Sequence, residues 1–163
     1  MKTLLILRHA KSSWCEPGRS DRDRPLNERG KHDAPRIGHL LRSQGLQPDL
    51  ILSSAAKRAR STAKRVVAGG ELACTPRLLD ELYLASADRY IEVLRQQSSE
   101  HERILVIGHN PGLEALVLLL TGTSLGLPTG ALVQVEFEMD SWFEISGNRN
   151  GKLVAHWEPR GLE

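Results

Sequence analysis

The sequence predicts an α/β fold in which helices cover both faces of a mostly parallel central sheet, giving a three-layer α/β/α sandwich. Short apolar segments alternate with segments of helical periodicity along the chain, a pattern typical of sheets built from parallel strands. The early apolar segments are continuous, as expected for strands covered on both faces. With 163 residues, 40% of them hydrophobic and 26% charged, the chain is expected to form one globular domain over residues 1–163.

Six short apolar segments are predicted to be strands, because each is short and is separated from the next by a turn or a helical pattern. The last two are joined through a turn at 147–151, and we expect this pair to be antiparallel. The predicted strands are 3–7, 49–52, 72–75, 103–107, 131–138 and 152–156.

Four segments are predicted to be helices from their apolar spacing and their end signals. The first begins at Asn27 and is stopped by Gly45, whereas the second is capped by Ser54 and ended by the pair Gly69-Gly70. Pro111 suits the first turn of the fourth helix, where a missing N–H costs nothing. The predicted helices cover about 27–43, 54–68, 86–97 and 111–120.

The composition argues against several classes of partner. The 22 Lys and Arg residues are balanced by 20 Asp and Glu, and aromatic residues make up only 4%, so neither nucleic acid nor an anionic membrane is an expected partner. Two cysteines, Cys15 and Cys74, are too few for a disulfide framework. No secretory signal is visible, and the longest apolar stretch, 113–120, falls short of the ~20 residues that span a bilayer. A cytoplasmic location is therefore expected.

Charged and polar residues follow three of the predicted strands. Arg8 and His9 come directly after the first strand, and Arg58 lies about one turn into the helix that follows the second. His109 comes after the strand at 103–107, within the segment Gly-His-Asn-Pro. Ligands of open α/β sheets bind beyond the carboxyl ends of the strands, so these four side chains are expected to converge.

Two arginines and two histidines at one sheet edge suit a phosphoryl group. Arginine binds phosphate oxygens in bidentate fashion and keeps its charge. A neutral histidine can attack phosphorus, because its ordinary pKa lies near physiological pH. Phosphoryl transfer spreads charge over three equatorial oxygens, which several fixed donors can stabilise.

Three motifs resemble those of the histidine phosphatase superfamily, also called phosphoglycerate mutase-like. Residues 8–14 (RHAKSSW) resemble its opening Arg-His-Gly motif, and residues 53–62 (SSAAKRARST) resemble its second arginine motif. Residues 108–111 (GHNP) resemble its second histidine motif. The short chain and residues 23–30 (DRPLNERG) are most similar to the SixA-type phosphohistidine phosphatase branch.

The resemblance implies a role for each matching residue. His9 would be the nucleophile that becomes phosphorylated, and Arg8, Arg58 and His109 would bind the phosphoryl group. Ala10 stands where many members have glycine, which is tolerable if its backbone avoids positive φ. Glu81 falls where the wider superfamily often carries a general acid, and the alternative is an ordinary surface carboxylate. No metal and no cofactor are expected.

The expected function is hydrolysis of phosphohistidine on a protein through a phosphohistidine intermediate on His9. The expected partner is a phosphohistidine-bearing protein, such as a histidine-containing phosphotransfer protein, or a small phosphorylated substrate. Two alternatives remain open: a phosphatase for small phosphate esters, and a non-catalytic module that binds phosphoproteins. A mutase is less favoured, since the short chain leaves little room for an insert that encloses the substrate.

Other phosphatase chemistries do not match the sequence. Cysteine phosphatases place an arginine six positions after the nucleophile, but Asp21 follows Cys15 at that distance and Asp80 follows Cys74. Asp21 follows no predicted strand, so aspartyl-phosphate chemistry is not expected either. Trp14, although close to His9 in the sequence, is expected to serve packing rather than substrate binding.

Overall fold

A six-stranded sheet forms the centre of the protein in the computed structural model, which describes residues 1–14 and 16–162. Cys15, and with it the prediction made for that residue, lies outside the described residues. The strands follow the sheet order β3-β2-β4-β1-β5-β6. They are β1 (Lys2–Arg8), β2 (Leu50–Ser54), β3 (Arg77–Leu79), β4 (Arg103–Gly108), β5 (Leu132–Phe137) and β6 (Lys152–Trp157).

The sheet combines a parallel part with an antiparallel edge. The pairs β3/β2, β2/β4 and β4/β1 are parallel, whereas β1/β5 and β5/β6 are antiparallel. Strands β1, β2 and β4 are buried along nearly their whole length, in agreement with their continuous apolar sequences. The predicted fold class, including the antiparallel pairing at the end of the chain, is confirmed.

The helices form a layer on each face of the sheet. They are α1 (Glu28–Ser43), α2 (Lys57–Gly70), α3 (Ala87–Arg95) and α4 (Gly112–Thr121). Alternate side chains of β1 point to opposite faces, so Leu5 belongs to the core under α1 and α2, and Leu4 to the core under α3 and α4. None of the helices in the described ranges is both long enough and apolar enough to cross a membrane.

The first helix has the ends that its sequence predicts. The side chain of Asn27 caps the N-terminus by accepting a hydrogen bond from the backbone N–H of Gly30, 2.9 Å away. At the other end, Gly45 adopts a left-handed conformation with φ 69°. A glycine there reverses the chain at no steric cost, and the backbone N–H of Leu46 then donates to the carbonyl of Leu41 at 2.7 Å.

Two local predictions were wrong. Ser54 is the last residue of β2 rather than a helix cap, and α2 begins at Lys57. Residues 72–75 form a turn region instead of a strand, and the short edge strand β3 follows later. The second helix does end at the glycine pair, since Gly70 is its last residue. The missing side chains also allow close approach of α1: a Cβ on Gly69 would lie 2.1 Å from the carbonyl oxygen of Pro35.

We predict that Gly38→Ala destabilises the protein although alanine favours helices. A Cβ at position 38 would lie 2.0 Å from the carbonyl oxygen of Val66 in α2. Separating the two helices should lower the free energy of unfolding by about 2 kcal/mol, measured by denaturant unfolding. Gly126→Ala is the control, because nothing lies within 4 Å of its Cβ position. Equal stability of the two variants would contradict this account of helix packing.

Candidate active site

A pocket lies at the C-terminal ends of β1, β2 and β4, which are neighbours in the sheet. Arg8 ends β1 and His9 follows it, His109 follows β4, and Arg58 is the second residue of α2, which comes after β2. All four side chains line this pocket, whose volume is about 240 Å³. The structure therefore brings these residues together; their catalytic roles remain predictions. The other lining residues are Lys11, Ser12, Trp14, Asp21, Arg24, Leu84, Asn110 and Thr129.

His9 is held as a neutral ring with one nitrogen available for attack. Its Nδ1 lies 2.8 Å from the carbonyl oxygen of Ala10, and a carbonyl only accepts, so Nδ1 carries the proton. Nε2 then keeps its lone pair. Burial, followed by the neighbouring charges of His109 and Arg58, lowers the pKa of His9 to about 3. The ring is therefore neutral, and nucleophilic at Nε2, at physiological pH.

His109 faces His9 across the pocket, with ring centroids 5.2 Å apart. Burial, and next the charge of Arg58, lower the pKa of His109 to about 4. Its Nε2 lies 2.8 Å from Ser54 Oγ, which already accepts the backbone N–H of Ala56. When the hydroxyl of Ser54 donates to Nε2, the ring proton of neutral His109 lies on Nδ1.

Each of the two arginines is anchored at its far end and keeps its Nε donor unused. Arg8 donates from Nη1 to the carbonyl of Leu127 at 2.9 Å. Arg58 donates from Nη1 and Nη2 to the carbonyl and the carboxylate of Asp21, at 2.6 and 3.0 Å. The Nε atoms of both arginines are buried without a hydrogen-bond partner in the described structure, as is His109 Nδ1. Buried donors seldom stay unpaired, so these three atoms are expected to bind an acceptor from a ligand.

Asp21 is a functional residue that the sequence analysis missed. Its carboxylate accepts hydrogen bonds from the hydroxyl of Tyr83 and from Arg58, and it lies 3.3 Å from Arg24 Nε. Tyr83 first, and then Arg58, hold the pKa of Asp21 below its ordinary value, so the group is ionised at neutral pH and anchors rather than donates. Asp21 lies in a short 3₁₀ turn, Asp21–Asp23, and neither periodicity nor a strand end marks that segment in the sequence.

The first and second motifs are joined by Thr62 of α2. Its Oγ1 accepts the backbone N–H of Ala10 at 3.0 Å and donates to the carbonyl of Arg58 at 2.7 Å. The residue after the nucleophile is thereby fixed to the helix that carries the second arginine. Ala10 is not among the residues with positive φ, so the substitution of alanine for the family's glycine is accommodated without backbone strain.

Glu81 does not lie in the pocket. The residue is exposed in the 3₁₀ turn Asp80–Leu82 and is not part of the pocket lining. The turn is oriented instead by the ion pair of Asp80 with Arg22 and by the contact of Tyr83 with Asp21. The prediction that Glu81 acts as a general acid gains no support from this geometry; the alternative of a surface carboxylate fits its position.

Exposed apolar side chains form part of the pocket's rim. Trp14 is 73% exposed and lies over the guanidinium of Arg24, 4.1 Å from ring centroid to Cζ. Leu84 is 55% exposed and adopts a left-handed backbone with φ 50°. Trp14 packs against Arg24, as the expected packing role requires, but most of its surface stays exposed at the pocket rim.

The positive charge of the pocket comes from basic side chains. Arg8, Arg24, Arg58 and Lys11 line it, against the single carboxylate of Asp21. Within residues 1–14 and 16–162 no cluster of three or more His, Cys, Asp or Glu side chains is arranged to hold a metal ion. The arrangement suits an anion and offers a neutral histidine with a free lone pair.

The chain is similar in sequence to a known family. The profile of the histidine phosphatase superfamily (branch 1) matches residues 4–84. An uncharacterized chloroplastic protein of Arabidopsis thaliana is 34% identical, over 93% of this chain and 75% of that protein. An uncharacterized protein of Mycobacterium tuberculosis is 32% identical, over 93% of this chain and 89% of that protein.

Solved structures with the same fold include SixA-type proteins. An Agrobacterium tumefaciens protein provisionally assigned as the phosphohistidine phosphatase SixA has a TM-score of 0.84 and 30% identity, over 97% of this chain and 98% of that chain. A structure of the protein histidine phosphatase SixA complexed with tungstate shares the fold, with a TM-score of 0.84 and 24% identity over 99% of both chains.

We predict that acidification from pH 7 to pH 5 destabilises the protein through its two buried histidines. Unfolded histidine takes up a proton below its ordinary pKa of 6.5, whereas His9 and His109 stay neutral until about pH 3 and 4. At pH 5 the unfolded state therefore binds more protons than the folded state, and each of the two histidines lowers the free energy of unfolding by about 2 kcal/mol. In denaturant unfolding, the free energy of unfolding of His9→Asn should fall less between pH 7 and pH 5 than that of the wild type. His32→Asn is the control, because its position is exposed, and it should show the same decrease as the wild type. An undiminished loss in His9→Asn would contradict the neutral ring.

Proposed function

Because the chain belongs to the histidine phosphatase superfamily and has the fold of its SixA-type members, we propose that it hydrolyses phosphohistidine on proteins. The superfamily makes it a phosphatase-type hydrolase; the substrate and the mechanism are our proposal. Its protein partner would carry the phosphorylated histidine, as a histidine-containing phosphotransfer protein does. The cytoplasmic location expected from the sequence stays a prediction.

One observation carries this proposal: several buried, unpaired donors and a neutral nucleophile line the same small pocket. Arg8 Nε, Arg58 Nε and His109 Nδ1 lack hydrogen-bond partners in the described structure, as do Nε and Nη1 of Arg24, and His9 Nε2 keeps its lone pair. A phosphoryl group supplies oxygen acceptors for such donors and an electrophilic phosphorus for the nucleophile. We propose that it binds with its oxygens on the donors and its phosphorus facing Nε2.

In the first proposed step, His9 Nε2 attacks phosphorus and the nitrogen–phosphorus bond of the substrate breaks. A substrate ring protonated on its distal nitrogen leaves as neutral imidazole, so no acid is required in the site. The phosphorylated His9 carries a positive charge, which its Nδ1–H shares with the carbonyl of Ala10. This hydrogen bond strengthens as the charge develops and therefore favours the transition state.

In the second step, water attacks phosphorus and the bond to His9 breaks. The electron pair returns to Nε2, which restores the neutral ring with its proton on Nδ1. Both protons of the water leave on inorganic phosphate, so the balance is complete without a further base. Arg8 and Arg58 supply the positive charge that a metal ion supplies in other phosphatases, so we propose that the reaction needs no metal.

The lack of a protonated carboxyl group among the described pocket residues favours phosphohistidine over alkyl esters. An alkoxide leaves only with a proton, and a positioned acid is worth about 10²–10⁴ in rate. In the described part of the chain, Asp21 is the one carboxyl group that lines the pocket, and it is ionised. An imidazole leaving group needs no such acid. The exposed rim of Trp14 and Leu84 also suits a histidine displayed on another protein.

We predict a phosphoenzyme on His9 that is stable in alkali and lost in acid, as phosphoramidates are. His9→Asn should abolish both the label and turnover, a loss of several orders of magnitude, measured with labelled phosphohistidine substrate in buffer containing EDTA. His109→Asn removes a donor but keeps the nucleophile, so it should form the label slowly. Turnover by His9→Asn, or a requirement for added metal, would contradict the mechanism.

We also predict that the enzyme prefers phosphohistidine to sugar phosphates and that Glu81→Gln leaves this preference unchanged. Asp21→Asn is the contrasting variant: it should raise KM for every substrate, because Arg58 loses a charged anchor. The measurement is kcat/KM for a phosphohistidine protein, an aryl phosphate and a sugar phosphate.

Other outcomes of that panel select between the alternatives. If sugar phosphates are the better substrates and Glu81→Gln abolishes their turnover, the enzyme is a small-molecule phosphatase and Glu81 is its acid. If phosphohistidine protein binds without any turnover, the chain is a phosphoprotein-binding module.

A further inference from the structure

A groove of about 540 Å³ runs beside the active-site pocket, between α2 and the segment that leads into β3. Its lining combines apolar and basic side chains in one place. Leu78, on the edge strand, is 47% exposed although it is a large hydrophobic residue. An apolar surface left open on a folded protein often marks a contact site. The lining residues that matter here are Lys57, Arg60, Lys64, Val67, Leu72 and Leu78.

The three basic side chains of the groove have no acidic partner. No carboxylate in residues 1–14 or 16–162 lies within 4 Å of Lys57, Arg60 or Lys64, and α2 contains no acidic residue. Their spacing of three and four residues places them on one side of the helix, over about 10 Å of its length. Because the whole chain carries only +2, this stripe is a local concentration of positive charge without a direct ion pair.

Both walls of the groove continue into the active site. On α2, Lys57 directly precedes Arg58, whose side chain lines the catalytic pocket. On the other side, β3 leads through the turn Asp80–Leu82 to Leu84, which also lines that pocket. A protein whose phosphorylated histidine reaches His9 is therefore placed to contact the groove as well.

We propose that this groove docks an acidic, partly apolar segment of the phosphohistidine-bearing substrate protein; the proposal rests on the proposed function. Apolar side chains of that segment would cover Leu72 and Leu78, while its carboxylates pair with the basic side chains of α2. Exposed ion pairs are individually weak, so the groove selects the partner through several contacts. The attraction also weakens as salt is added.

Two synthetic phosphohistidine peptides test the groove. Both carry the same extension of leucines alternating with charged residues, which are glutamates in one peptide and lysines in the other. Wild type should hydrolyse the glutamate peptide with about tenfold higher kcat/KM, as expected for three surface ion pairs. Arg60→Glu/Lys64→Glu should reverse this preference and leave kcat/KM for free phosphohistidine unchanged. Lys31→Glu/Lys152→Glu, the same change of charge outside the groove, should behave as wild type.

Several results would overturn the docking site. The proposal fails if the wild type hydrolyses the two peptides with equal kcat/KM. It also fails if the double variant loses as much kcat/KM for free phosphohistidine as it does for the glutamate peptide.

Fluorescence anisotropy of the unphosphorylated peptides measures binding without turnover. An oligonucleotide that displaces the glutamate peptide as strongly as unlabelled glutamate peptide does would show that the groove is a non-specific anion site. If wild type binds the glutamate peptide selectively but hydrolyses no phosphohistidine, the docking site stands and the proposed function fails.

Discussion

The register of three parallel strands is the constraint on which the site depends. In the pairing of β1 with β4, Arg8 lies opposite Gly108, and in the pairing of β2 with β4, Ser53 lies opposite Ile107. The three strands therefore end at the same level, and His9 and His109 leave the sheet side by side. A shift of one residue would also move every buried side chain to the other face. The packing of the two cores thus fixes the position of the nucleophile.

Burial and positive charge act together on the two histidines. A ring that carried a proton would lose solvation and face two guanidinium groups, so both rings stay neutral at physiological pH. Neutrality gives His9 its nucleophilic lone pair, and it allows positive charge to be concentrated around the phosphoryl group. Asp21 limits this concentration: its backbone carbonyl and its carboxylate each accept a hydrogen bond from one outer nitrogen of Arg58, which leaves Nε for a ligand.

The sequence could predict features that are marked within one short segment of the chain, but not those that depend on contacts between distant segments. Arg8 ends an apolar strand and His9 and His109 directly follow one, so strand ends were enough to locate them. Arg58 lies within a basic helix, and its resemblance to the second arginine motif was needed to single it out. Asp21 could not be found in this way, because its contact with Arg58 joins residues 37 positions apart. The pair Gly69-Gly70 ends α2, as its sequence predicts, but its second use, the close approach of α1, depends on a tertiary contact that the local sequence does not show. Glu81 faces solvent because contacts of its neighbours orient the turn.

The size of the pocket determines where specificity has to come from. At about 240 Å³ it is smaller than most small-molecule sites, which enclose about 300–1,000 Å³. Such a volume suits a phosphoryl group with part of its leaving group, and the phosphoryl group is common to every substrate of the superfamily. Discrimination by leaving-group chemistry is available inside the pocket, since the one carboxyl group that lines it in the described part of the chain, Asp21, is ionised. Discrimination between proteins requires contacts outside it, on the rim of Trp14 and Leu84 and along the groove of α2, where mutations can change partner choice without changing the chemical step.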